Sequence, residues 1–163
     1  MIFTIGGSLF KTSYSVIGLQ EKVRKVILSK SAYKNIISIV ESCYPKEACG
    51  VMFGKIKEST AIITEVIKIK NVLESSYRFW FDVIEWMDVI LKAKKRNLEY
   101  IGLFHSHPKG SPIPSLADRH RMLECPEEIW IIVSYTPDSA INIAAWRIDD
   151  WGSSITRLLL TVA

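Results

Sequence analysis

Glycine and proline are scarce, 8 and 6 in 163 residues, and no repeat or low-complexity tract divides the chain. That excludes collagen-like, linker-dominated and disordered classes, which hold too little apolar side chain to offset chain entropy. Cysteine is rarer still: Cys43, Cys49 and Cys125 are odd in number and form no C-x-x-C pair. A disulfide framework and a four-cysteine zinc site are therefore excluded, and reduced, packed thiols are expected. A bilayer-spanning helix needs about 20 consecutive apolar residues, but the apolar start is cut at Lys11 and the run from Ile129 at Asp138. The opening stretch has no cationic region ahead of its apolar residues and no small-residue cleavage site, so the chain reads as cytoplasmic, without a membrane partner. Excess charge is also lacking. Lys plus Arg number 21 against 17 acidic residues, a net +4 that calls for no nucleic acid.

What is present is 48% hydrophobic side chain, enough for one core, and an alternation of helix and strand patterns that reads as mixed α/β. Residues 1–22 fit no recognisable element and are set apart as an extension; 23–163 read as a single domain. Residues 23–28 read as a strand. Ser29 or Ser31 then caps a helix with Ala32, Ile36, Ile39, Val40 and Cys43 on its apolar face, closed by Pro45. Residues 48–53 and 61–69 are β-rich and joined by a polar turn, the pattern of a hairpin. Asp82 with Glu85 resembles a capping pair for a helix whose inward stripe is Val83, Trp86, Met87, Ile90 and Leu91, with Asn97 as its left-handed stop. The basic run from Lys92 to Arg96 complements that helix's C-terminal dipole. Residues 100–104 have the length of a buried strand, and 129–135 read as another.

All three histidines fall in HSHPKGSPIPSLADRH, residues 105–120. His105 and His107 end the strand that begins at 100, and its period of two sends both imidazoles to one face, within reach of one metal ion. Ser106 points the other way, and Pro108 ends the ladder. Ser115 and Asp118 open a helix, and Ser-x-x-Asp is close to a capping box, which is one reading of the pair. The other is that Asp118 supplies an anionic oxygen, giving two imidazoles and a carboxylate on zinc with a fourth position open. His120, about 200° around the helix from Asp118 by the 3.6-residue period, faces away from such a metal. Zinc hydrolysis also needs a base, and Glu47, just before the strand at 48–53, is the carboxylate at the mouth of the sheet.

These residues carry a family resemblance. Glu47, then Cys49-Gly50 and a strand, then His105-Ser106-His107-Pro108, six residues, Ser115, two residues and Asp118 resemble the full signature of the JAMM (MPN+) zinc metalloproteases. The resemblance implies an MPN/JAB, cytidine-deaminase-like fold: a curved mixed β-sheet flanked by helices. It implies that His105, His107 and Asp118 bind Zn²⁺, that Glu47 activates the water, and that Ser115 stabilises the oxyanion. Residues 55–81 would be the insertion that contacts a substrate tail, and the second family insertion would be short or absent. The implied activity is an isopeptidase that removes ubiquitin-like modifiers from lysine or processes their C-terminal tails. Release of an amino acid or peptide from a sulfur-carrier protein, which shares the β-grasp shape and Gly-Gly tail, is the alternative within the family. A non-catalytic scaffold, or a thiol nucleophile at Cys49 with His105 as base, are readings from other classes.

Overall fold

The computed structural model describes residues 22–149 and 154–163, so the extension expected at 1–22 lies outside the described residues except for Lys22. The elements are β1 (Lys25–Leu28), α1 (Lys30–Cys43), β2 (Cys49–Lys57), β3 (Thr60–Ile69), α2 (Val83–Lys95), β4 (Glu99–His107), α3 (Leu116–Glu124), β5 (Ile129–Ser134), β6 (Asn142–Ile148) and β7 (Ile155–Val162). Three helices and a mixed sheet bear out the α/β class. The sheet goes further than a curved open sheet. In the order β1-β3-β2-β4-β5-β6-β7 it closes into a barrel, because the four residues of β1 pair in parallel with both β3 and β7. No described helix is long and apolar enough to cross a membrane.

Ser29 caps α1, its hydroxyl accepting from the Ala32 N–H at 3.1 Å, and Ala32, Ile36, Ile39 and Val40 are buried as the periodicity requires. The hairpin strands run further than expected, leaving only Glu58 and Ser59 between β2 and β3, with Glu58 in the left-handed region at φ 52°. Only residues 70–82 between β3 and α2 stand outside the regular elements as a strap, so the expected insertion at 55–81 is confined to its second half. Asp82 caps α2, accepting from the Ile84 and Glu85 N–H groups, and Asn97 takes the expected positive φ. The inward stripe of α2 needs correction. Ile90 and Ala93 are its buried residues, whereas Val83, Met87 and Leu91 are 43%, 39% and 48% exposed. Apolar residues lie on both sides of this helix, and periodicity alone cannot choose the face that meets the sheet.

The apolar side chains form two clusters. One joins α1 to Met52, Ile63, Phe104, Ile131 and Val133. The other joins α2 and the strap to Val51, Phe53, Leu103 and Trp130. Strand β4 divides its side chains between them, Phe104 to the first and Leu103 to the second, and a bulge opposite Met52 and Phe53 brings Tyr100 to the same cluster as Leu103. Gly102 permits this: at φ 155° a Cβ would stand 2.0 Å from the Ile129 carbonyl oxygen on β5. On one side β4 pairs with β2 as far as His105, and on the other it pairs in parallel with β5 as far as His107.

Between α3 and β5 the Glu128 side chain is buried against the Tyr100 hydroxyl and the Cys125 thiol, and burial raises its pKa to about 7. The unfolded chain therefore loses this proton at lower pH than the folded one, so the stability the protonated carboxyl contributes declines as pH rises from about 4.5 to 7. Glu128→Gln should leave the melting temperature near wild type at pH 4.5 and raise it by about 2–8 °C at pH 8. Calorimetry finding no gain at pH 8 would rule out a strained buried carboxylate.

Candidate metal and catalytic centre

Because Leu103, His105 and His107 alternate with Phe104 and Ser106, β4 delivers both imidazoles to the side covered by α2, the strap and α3. There the His105 and His107 Nε2 atoms stand 3.0 Å apart. Asp118, in the first turn of α3, brings Oδ1 to 3.2 Å from His105 Nε2 and Oδ2 to 3.3 Å from His107 Nε2. All three side chains are at least nine-tenths buried.

The proton inventory of this cluster says what it can hold. His107 Nδ1 lies 2.8 Å from the Ser111 carbonyl, which can only accept, so Nδ1 carries a proton and Nε2 of the neutral ring a lone pair. Burial would lower the His107 pKa, but its bonds to Asp118 and Ser111 leave it raised. For His105, burial dominates and lowers it. Burial would raise Asp118, yet hydrogen bonds from both histidines and Ser115 hold it far below the usual carboxylate range. Two ring nitrogens and an anion thus converge with too few protons to share, and the three side chains form a group that could hold a metal ion. Donors placed tetrahedrally at about 2.0–2.1 Å around one zinc stand about 3.3–3.4 Å apart; the two ring nitrogens are 3.0 Å apart, and each lies within 3.3 Å of one of the two Asp118 oxygens.

The two readings of Ser-x-x-Asp coexist in one carboxylate. Ser115 caps α3, its hydroxyl accepting from the Asp118 N–H at 3.2 Å while Asp118 Oδ2 accepts from the Ser115 N–H at 2.7 Å. The box orients the carboxylate, and lone pairs remain for the imidazole side.

Glu47 precedes β2 and is 5% exposed, not a solvated charge. Burial lifts its pKa to about 7, with nearby His107 opposing and Asp118 reinforcing the shift. Ser106, facing away from the histidines, fixes the adjoining backbone: its hydroxyl accepts from the Ala48 N–H at 2.8 Å, and its own N–H donates to the Ala48 carbonyl at 3.0 Å. Cys49 is no nucleophile. Burial pushes its thiol to about 12, and the sulfur lies 3.5 Å from the Ile69 carbonyl. His120 lies on the exposed side of α3, away from the cluster, as expected.

The sequence reading missed the strap. Phe79 stacks on His105 at 4.3 Å between centroids and 21° between planes, and Trp130 meets the same ring edge-on at 6.1 Å. Trp80, beside it, lies under the Arg121 guanidinium of α3 at 3.6 Å. The aromatic run at 79–81 was the available signal, but without a partner it reads as core.

Residues 29–149 match the model of the prokaryotic homologs of the JAB domain. The chain belongs to this family. Among its relatives, the desampylase of Pyrococcus furiosus is 35% identical over 109 residues, covering 67% of this chain and 74% of that protein. The CD-NTase/cGAS isopeptidase of Enterobacter hormaechei is 27% identical over 131 residues, 74% of this chain and 73% of that protein. The solution structure of a Desulfitobacterium hafniense protein shares the fold of this JAB domain with a TM-score of 0.74 at 22% identity, covering 85% of this chain and 92% of that one.

Among the described residues the buried His105 Nδ1 has no hydrogen-bond partner, and its ring is packed against aromatic faces where a ligating histidine ordinarily has a second hydrogen bond. Phe79→Ala should therefore weaken zinc binding by about 10–100-fold, read by competition with a chromophoric chelator. Unchanged affinity would mean the stack does not orient the ring.

Proposed function

We propose that this JAB domain, residues 23–163, is a zinc-dependent isopeptidase that removes ubiquitin-like modifiers from lysine or trims their C-terminal extensions. The observation that carries this reading is the convergence of His105 Nε2, His107 Nε2 and the Asp118 carboxylate beside a buried Glu47. The names of the two relatives support it, and the mixed sheet with its helices supports the cytidine-deaminase-like arrangement. His105, His107 and Asp118 would hold the ion, which when bound acts as a Lewis acid toward water and the scissile carbonyl. Glu47 accepts the water's proton and returns it to the departing lysine amine, and its burial, which raises its pKa, favours the form that carries the proton between the two transfers. Ser115 donates its hydroxyl to the oxygen that gains charge, and its capping bond to the Asp118 N–H keeps that side chain in place.

The surroundings suit a folded protein carrying an extended tail. Tyr77 on the strap is 71% exposed, and Ile84, Met87 and Leu91, at helical spacing on α2, are 80%, 39% and 48% exposed, apolar surface a folded partner would cover. The tail cannot lengthen the sheet along β4, whose edges are occupied by β2 and β5, so the strap is the backbone against which it can lie. Glycines at the tail's end would let the chain pass where any Cβ crowds the groove.

Three variants separate the roles. Glu47→Gln should keep its zinc and lose most turnover, whereas Asp118→Ala should lose both. Ser115→Ala should stay folded and zinc-loaded with kcat lowered on the order of 10²–10³-fold; full activity with only a lower melting temperature would leave the cap as its whole role. For the substrate, kcat/KM is compared on one β-grasp modifier ending in Gly-Gly, Ala-Ala or Val-Val before a short extension. Equal cleavage of the three would make the protein a general metallopeptidase instead.

A further inference from the structure

Glu47 lies between two systems of hydrogen bonds. Ala48, its neighbour, is already held by Ser106 of β4. Glu47 itself is not. Its N–H donates to the Ser75 carbonyl at 2.8 Å, and its carbonyl accepts from Asn71 Nδ2 at 3.0 Å. Both polar backbone groups of this buried residue are satisfied by the strap.

Asn71 is the knot of that strap. Nδ2 also donates to the Arg78 carbonyl at 3.2 Å, and Oδ1 accepts from the Leu73 N–H at 3.1 Å and the Trp80 N–H at 3.2 Å. Two donors and two acceptor sites are all an amide side chain has, and all are used. The backbone adds a Val72 N–H to Trp80 carbonyl bond at 2.8 Å and a bridge between Asn71 and Phe81. One side chain thus closes the strap across 71–80 and ties it to the peptide group of Glu47.

We infer that Asn71 is a positioning residue: through its Nδ2 bond to the Glu47 carbonyl it fixes where the Glu47 carboxylate points. This rests on the reading of Glu47 as the general base. Aspartate has the same shape but replaces both donors with an oxygen facing two carbonyls, while the acceptor half that serves Leu73 and Trp80 remains. The amide therefore acts on Glu47 through its donor half and on strap closure through both halves.

The experiment is a double-mutant cycle on the zinc-loaded full chain, with a β-grasp modifier bearing a Gly-Gly tail and a short extension as substrate. Assayed at saturating zinc and substrate, Asn71→Asp is expected to lower kcat on the order of 10–100-fold, the loss that follows small misplacement of a reacting group. In the Glu47→Gln background the same change should lower kcat by less than about twofold, since there is no base left to position. An equal loss in both backgrounds, or full kcat with only a lower melting temperature, would overturn the inference. Should Asn71→Asp not fold, Asn71→Ser retains one donor and should give an intermediate loss that obeys the same cycle. If the wild-type chain leaves the substrate uncut, the isopeptidase reading fails, and amide hydrogen exchange then judges the hold by itself. The Ala48 N–H, which shares a peptide group with the Glu47 carbonyl, should exchange faster in Asn71→Asp, and unchanged protection would overturn it.

Discussion

Two imidazole nitrogens held 3.0 Å apart, with a buried carboxylate on their open side, form an arrangement that apolar surroundings disfavour unless positive charge stands among them. The rest of the structure is arranged to keep that geometry. Pairing of β4 on both sides keeps His105 and His107 on one face. The Ser111 carbonyl fixes the tautomer of His107, and the capping box turns Asp118 inward from the first turn of α3. Removing any of these would leave a buried polar group without its partner, a cost of about 1–3 kcal/mol each.

The same constraint acts on Glu47. Burial, reinforced by repulsion from Asp118, outweighs the attraction of His107, so Glu47 reaches about 7 where its backbone is held away from solvent. That hold has two independent halves. Ser106 comes from β4, so its grip on Ala48 moves with His105 and His107. The strap's grip on Glu47 comes from residues that also carry Phe79 onto His105. The strap is thus bound to both the Glu47 backbone and the His105 ring, and any movement of it would be felt by both at once.

Much of this was legible in the sequence. The spacing of His105, His107, Ser115 and Asp118 fixes a strand end and a helix start, and local rules suffice there: period two for the imidazoles, a capping box for the turn that presents Asp118. The first helix, the hairpin and the Asn97 stop followed from equally local signals. What was not legible depends on long-range packing. Closure of the barrel needs β1 to find β7, more than 130 positions away. The buried face of α2 depends on which side meets the sheet, and its sequence offers apolar residues on both. Glu47 could be named as a candidate base from its place before β2, but nothing local reveals that Asn71 and Ser75 will cover its peptide group.

Ser115 and Asp118 show why a structural reading and a chemical one need not compete. A carboxylate has about four lone-pair directions, and the cap uses one of them, on Oδ2, at 2.7 Å from the Ser115 N–H. Oδ1 is left to His105. The cap also favours the ionised form, since an N–H donor stabilises the anion and the N-terminal end of α3 adds its positive dipole. The motif that starts the helix thus adds to the two histidines in keeping Asp118 charged inside an apolar site, and the spacing of Ser-x-x-Asp serves folding and the cluster through the same hydrogen bonds.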